Sequence, residues 1–360
     1  MPTPTADKYP MRITMKDIAE DCGVSRATVN QILGGHGHRF SDKTCKLVND
    51  TAKRLGFRVN ASARAIRTGK FNCVSLVLSE ADQLGVIPRG LLTGIDQRMA
   101  ERGKHLMVCH APSQPDPAGE TTTGLSTLMS QAMVDGHLID AAFRQPAPFT
   151  ELGEDGMPVI WLRCEREADC VYTDEHQAGY LATEHLLRFG HTRISVVHGR
   201  SDAVFLHQRL AGYRQAMTDA GLTPHVWKFP DPLHADYPKQ QEGQIDMYGQ
   251  RLTDARAWLS TREHRPTACF AASSGDALGI QAGALQSGLA LPRDLSLITV
   301  DDFFVNQGFP ITTVFTNMTR LGRQAGEMML TKLDHPKRSL KPVVQQYKIV
   351  EGLTTGPPAV

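Results

Sequence analysis

The 360-residue sequence predicts an α/β protein, with a small all-α head followed by a body built from two doubly wound parallel sheets. Two patterns carry this prediction. The first 58 residues hold three short amphipathic helical segments, each opened by a capping residue, and from Phe71 onward apolar strand-like runs alternate with helical stretches. A third observation divides the chain in the same place. Residues 1–70 carry thirteen Lys and Arg against six Asp and Glu, so with an overall charge of +1 the remaining residues have an acidic excess of six. A short basic head on a mildly acidic body points to a polyanionic partner for the head alone.

In the head, Thr14 precedes the stripe Met15, Ile18, Ala19 and Cys22, and Asp17 stands where a capping-box acid supports Thr14. Gly23 then permits a tight turn. Ser25 caps a second helix whose inward face is Val29, Ile32 and Leu33. Ser41 caps a third, with Thr44, Leu47, Val48, Ala52 and Leu55 on one side and Gly56 at its end. At 100° per residue, Arg26, Ala27, Asn30 and Gln31 fall on the side of the second helix away from its apolar face. Arg forks to guanine, Asn and Gln pair bidentately with adenine, and an alanine methyl touches thymine, so this face has the chemistry to read base edges. Ser25 and Thr28 are placed for phosphate oxygens.

In the body, CVSLVLS, HLMVCHA, HLIDAAF, PVIWLRC, RISVVHG, TACFAAS and LSLITVD read as buried strands. GLLTGIDQRMAERG, AGYLATEHLLRFG, RLAGYRQAMTDAG and GDALGIQAGALQSG read as the helices between them. Seven strands over about 230 residues suit two sheets better than one. The polar, proline-bearing segment from Asp231 to Gln250 reads as a loop leading into a helix, and the tail GLTTGPPAV as loose.

The composition and motifs exclude several classes. An apolar content of 41% supports a buried core, and no stretch approaches the roughly 20 apolar residues of a membrane span. The opening MPTPTADKYP has no secretory core, and seven scattered cysteines fit reduced thiols, so a cytoplasmic location is expected. There is no G-x-S-x-G elbow, H-E-x-x-H, P-loop or C-x-x-C pair, so no catalytic residue and no cofactor are expected. His36 and His38 on GGHGHRF supply two metal-type ligands on a glycine-rich loop, too few for a site, and no metal is expected. The alternatives to a DNA-binding sensor are an α/β enzyme and a ligand-binding protein without DNA activity.

The run ITMKDIAEDCGVSRATVNQIL, followed by FSDKTCKLVNDTAKRLGFRVNASARAIRTGK, resembles the DNA-binding head and hinge of the lactose repressor/galactose repressor (LacI/GalR) family. The similarity continues through AGYLATEHLLRFGHTRIS, RLAGYRQAM, ALGIQAGALQSGLALPRDLSLITVDDF and ITTVFTN, in the family's order, over nearly the whole chain. The resemblance implies a helix-turn-helix head at 1–58, a hinge helix at 59–70, and an effector-binding and dimerisation body at 71–350. The body would have two lobes like those of periplasmic sugar-binding proteins, at about 71–171 with 303–330 and about 172–302 with 331–350, and the tail would be 351–360. It implies a homodimer on a two-fold symmetric double-stranded operator, acting as a repressor. Asn60, Ala63, Arg64 and Ile66 would contact DNA through the hinge, with Ile66, where the family usually has Leu, wedged into the minor groove.

Asn30 and Gln31 stand where the family often has Ser-Arg, so the operator bases are expected to differ from the commonest half-site. The resemblance places a small polar effector, a sugar or sugar derivative, in the crevice at the carboxyl ends of the strands. Arg209 matches the family's clamping arginine and Asp301 its effector-binding aspartate. Ser273 and Ser274 replace the frequent Asn-Asp, Glu80 at the end of the first strand is placed to compensate, and Phe205 to stack on the ligand or to pack. Asp174 opens a block near the same crevice with an open role. An effector that favours the loosened lobe arrangement induces, and one that favours the clamped arrangement corepresses.

Overall fold

The computed structural model describes residues 13–58, 65, 69–79, 87–111, 133–142, 156–199, 203–229, 247–261, 265–301 and 310–359. They form two compact units that divide between Phe71 and Asn72.

The head begins with α1 (Met15–Cys22). The Thr14 hydroxyl accepts from the Lys16 amide at 3.2 Å, and the Thr14 amide donates to Asp17 Oδ2 at 2.7 Å, closing the capping box. That amide bond holds the Asp17 carboxyl below its ordinary pKa. Gly23, at φ 65°, takes the left-handed conformation that ends the helix, and Ser25 caps α2 (Arg26–Gln31) through the Thr28 amide at 3.0 Å. The chain continues through a wide turn at Ile32–His36 and a 3-10 turn at Gly37–Arg39. α3 (Asp42–Arg54) follows, capped by Ser41. Ile18, Ala19, Val29, Ile32, Val48 and Ala52 form the core of the unit. Leu47, expected on the inward face of α3, is 47% exposed, and Thr51 is buried in its stead. One position is 100° of helix rotation, so the row through Val48, Thr51, Ala52 and Leu55 turns Leu47 outward.

In the body, the first sheet runs in spatial order β11 (Val343–Gln345), β5 (Cys170–Thr173), β4 (Val159–Leu162), β3 (His137–Asp140), β1 (Cys73–Ser79), β2 (His105–Ala111). All of its pairings are parallel. The second runs β12 (Lys348–Val350), β10 (Thr312–Phe315), β9 (Ser296–Asp301), β8 (Ala268–Ala271), β6 (Ile194–His198), β7 (His225–Lys228). Within it only β10 and β12 are antiparallel. Helices α4 (Arg89–Ala100) and α9 (Met318–Asp334) pack together beside the first sheet. α5 (Glu175–Arg188), α6 (Val204–Asp219), α7 (Met247–Ser260) and α8 (Ser274–Gln286) surround the second. The helical part of the Asp231–Gln250 expectation begins at Met247, and 231–246 lie outside the described residues.

Glycines set the closest helix contacts. A Cβ on Gly179 of α5 would lie 2.0 Å from the Arg209 carbonyl, and one on Gly212 of α6 would lie 2.0 Å from the His176 carbonyl. Gly94 of α4 and Gly322 of α9 make the same reciprocal arrangement, at 2.1 and 2.2 Å from Thr319 and Leu91 carbonyls. Each pair lets two backbones touch, which any side chain would prevent.

Three short segments carry the chain between the lobes: Thr173 to Glu175, Phe315 to Met318, and Gln345 to Lys348. They correct the expected lobe boundaries. β10 belongs to the second sheet, although 303–330 were expected in the first lobe, and β11 belongs to the first sheet, although 331–350 were expected in the second. The whole of α9 accompanies α4. Short strands at the point of crossing have too little apolar pattern to reveal which sheet they join.

The tail is also corrected. Thr354 is fully buried, its hydroxyl donates to the Leu297 carbonyl at 2.6 Å, and the Leu297 amide donates to its carbonyl at 2.7 Å. The Gly356 carbonyl faces His191 Nε2 at 2.8 Å. Backbone and hydroxyl pairing, rather than apolar periodicity, fixes this segment.

Candidate functional site

On α2, Arg26 and Ala27 are exposed, Thr28, Asn30 and Gln31 are half-buried, and Val29 and Ile32 face the core. The Ser25 hydroxyl is committed to the Thr28 amide and lies 2.9 Å from the Thr28 hydroxyl. The polar row therefore faces solvent from a helix whose other side is anchored. Asn60, Ala63, Arg64 and Ile66 of the expected hinge lie outside the described residues. The rings of His36 and His38 meet edge to face with centroids 6.2 Å apart, and among the described residues no group of three His, Cys, Asp or Glu is placed to hold a metal ion.

In the body, four of the five expected effector residues are described, and all stand at the carboxyl-end side of the second sheet. Asp301 ends β9, Ser273 follows β8 and caps α8, and Phe205 and Arg209 sit in the first two turns of α6. Glu80 lies outside the described residues. Asp174, whose role the sequence leaves open, caps α5 through the Gln177 amide at 2.8 Å.

Arg209 is buried, and two hydrogen bonds tie it to two other segments. Nε donates to Glu175 Oε2 at 2.7 Å and Nη1 to the Ala272 carbonyl at 2.6 Å, while the guanidinium carbon lies 4.8 Å from the Phe205 ring centre. Glu175 Oε1 accepts from the Thr173 hydroxyl at 2.6 Å and from the Tyr347 hydroxyl at 2.8 Å. Burial opposes the Arg209 charge, but the Glu175 carboxylate outweighs it and raises the arginine's pKa. Burial and that same carboxylate push the Tyr347 phenol upward, so it stays a donor. Thr173, Glu175 and Tyr347 lie on two of the three interlobe crossings, so the expected clamp is bonded directly to the segments that join the lobes.

Beside it, Ser273 donates to Asp276 Oδ2 at 2.7 Å and accepts from the Asp276 amide at 3.2 Å. Asp276 is buried, and Arg251 of α7 stands 3.5 Å from its other oxygen. Burial raises the Asp276 carboxyl above its ordinary pKa, against the opposing pull of Arg251 and the Ser273 hydroxyl. In the first lobe, Arg163 Nε after β4 donates at 2.9 Å to Asp140, which is fully buried at the end of β3. The Ala142 carbonyl next to this pair accepts from the Val204 amide at 3.1 Å, joining the first lobe to the start of α6. Sequence reasoning missed Glu175, Tyr347, Arg251 and Asp276. Glu175 carried a signal, an acid directly after a strand end, whereas the other three are defined only by tertiary contact.

Residues 183–355 match the family described as periplasmic binding protein-like domain. Over 347 residues the chain is 26% identical to the HTH-type transcriptional repressor PurR of Haemophilus influenzae (strain PittEE), covering 94% of this chain and 95% of that one. In fold, it aligns with the lac repressor dimer bound to operator and the anti-inducer ONPF, with a TM-score of 0.76, 20% identity, and coverage of 96% of this chain and 99% of that one. The transcriptional regulator CelR in its cellobiose complex aligns with a TM-score of 0.63, at 24% identity over 96% and 100%. The chain thus has the lac repressor-like fold, a helical head with a two-lobed periplasmic-binding-protein-like body. Over nearly its whole length it is similar to regulators of the LacI/GalR type. Its homologues are transcription regulators rather than enzymes, and among the described residues no helix is long and apolar enough to cross a membrane.

Proposed function

We propose that the protein is a sequence-specific DNA-binding transcriptional repressor, working in the cytoplasm as a homodimer without catalysis, and that a small polar ligand bound between its lobes sets its affinity for a two-fold symmetric operator. The observation that carries this reading is α2. Its capped start and buried Val29 and Ile32 leave Arg26, Ala27, Asn30 and Gln31 on the opposite side, with the donor and acceptor types that distinguish base pairs in the major groove. The regulatory sense follows the PurR relative, a named repressor, and the operator and dimer follow the lac repressor neighbour. The CelR neighbour holds cellobiose, which supports a sugar in the cleft lined by Phe205, Arg209, Ser273 and Asp301. In this reading Arg64 and Ile66 add to DNA affinity and Glu80 to ligand affinity.

Selection of bound duplexes from a random pool tests the reading. Wild type is expected to recover a two-fold symmetric consensus, with Gln31→Ala losing preference at particular positions in each half-site. Identical profiles for the two proteins would overturn the assignment of α2 as the base reader.

A further inference from the structure

We propose that the effector site accepts an uncharged, hydroxylated ligand, a sugar bearing neither phosphate nor carboxylate, and that Glu175 is the residue that excludes anions. This inference rests on the reading of the body as a ligand-responsive sensor and sharpens it. It starts from how the cations at the strand ends are partnered. Arg209, Arg251 and Arg163 stand beside the carboxyl ends of the strands, and each is opposed by a buried carboxylate: Glu175, Asp276 and Asp140 respectively. Asp301 adds a further acid at the end of β9. At each of these three guanidinium groups, then, an arriving anion meets a charge that is already opposed.

The Glu175–Arg209 pair is the decisive one, because it is the most completely built. Both residues are buried, and both carboxylate oxygens are occupied: Oε2 by Arg209, Oε1 by Thr173 and Tyr347. Glu175 cannot turn away to release the arginine's charge without stranding three donors in a buried site. Guanidinium carries five N–H donors; the hydrogen bonds to Glu175 and Ala272 use one from Nε and one from Nη1, and Tyr347 is a further side-chain partner. The donors left over suit a hydroxyl or ring oxygen, which accepts a hydrogen bond without needing net positive charge. A phosphate or carboxylate would lose its hydration shell and gain no net opposing charge in return, because the Glu175 carboxylate is already paired with the same guanidinium.

Thermal-shift titration of the full chain with matched sugars measures this directly. The probes are D-glucose, D-ribose and cellobiose, set against glucose 6-phosphate, gluconate and ribose 5-phosphate. Wild type is expected to bind at least one neutral sugar saturably, and its charged counterpart at least tenfold more weakly. Glu175→Gln keeps the shape while removing the charge, and is expected to shrink that ratio at least fivefold. Tyr347→Phe removes one donor but leaves the carboxylate charged, and is expected to keep the wild-type ratio. An anion binding wild type as tightly as its neutral partner, no neutral sugar binding, or a Glu175→Gln ratio equal to wild type would each overturn the proposal. If Glu175→Gln does not fold, the wild-type and Tyr347→Phe ratios decide. Duplex binding measured on the same wild-type preparation separates the two readings. Anion preference with intact DNA binding sinks only this inference, whereas absent DNA binding sinks the regulator reading.

Discussion

His191 shows how single residues hold the second lobe together. Its Nδ1 lies 3.0 Å from the Thr267 hydroxyl, and its Nε2 faces Ser296 at 3.1 Å and the Gly356 carbonyl at 2.8 Å, so the neutral ring anchors the C-terminal segment. Burial lowers its pKa, with the Gly356 carbonyl pulling the other way. His185, lowered by the same cause, holds Thr355 at 3.0 Å. A histidine whose pKa is depressed on folding binds fewer protons folded than unfolded, so its contribution is fully present above the unfolded value of about 6.5 and is lost as the pH falls through the folded one. The melting temperature should therefore fall as the pH is lowered from 7.5 to 5.5. His191→Gln should melt lower at pH 7.5 and show a shallower decline. A decline as steep in the variant as in wild type would remove His191 from this role. The same scale shows what sequence reasoning reaches. Arg209 was legible because its motif surrounds it in the chain, whereas its partner Glu175 lies 34 positions away and is brought to it by the packing of α5 on α6. The tail was misread because Thr354 and Gly356 are fixed by hydrogen bonds that leave no apolar pattern.

At the scale of elements, legibility followed long apolar runs rather than burial, since the buried β5 and β10 were not read. The strands read from sequence, β1 to β4, β6, β8 and β9, are rich in apolar residues. Those not read include β7, largely exposed at a sheet edge, and the three-residue β11 and β12. α9 was overlooked although Met318, Leu321, Gly322 and Ala325 do form a helical stripe, which makes it the clearest missed signal. The reciprocal glycines yield a test. Gly212→Ala places a methyl group 2.0 Å from the His176 carbonyl, a backbone atom with no room to retreat. α5 and α6 must then separate, at a cost of about 1–3 kcal/mol and occasionally more by analogy with overpacked cores. Urea denaturation should show a lowered midpoint. Because Arg209 is on α6 and Glu175 on α5, the same change should also weaken sugar binding. An unchanged midpoint would contradict the close approach of the two helices.

The whole molecule joins two chemistries in one chain. The basic head presents a polar helix face, and in the acidic body Arg163, Arg209 and Arg251 are each matched by a buried acid. The split of charge made the two-part organisation legible from composition, and the alternation of strands and helices made the α/β body legible. The exchange of β10 and β11 between lobes was not, since both follow from long-range pairing alone. The most direct test of the central claim is fluorescence anisotropy of the full chain on the selected duplex and on a scrambled duplex of equal length, at fixed moderate salt, for wild type and for Arg26→Ala with Gln31→Ala. Specific complexes are typically about 10³-fold or more tighter than non-specific ones, and wild type should show a preference of that order. The double variant should bind both duplexes with similar, weak affinity. Equal binding of the two duplexes by wild type, or a preference undiminished in the double variant, would contradict the account.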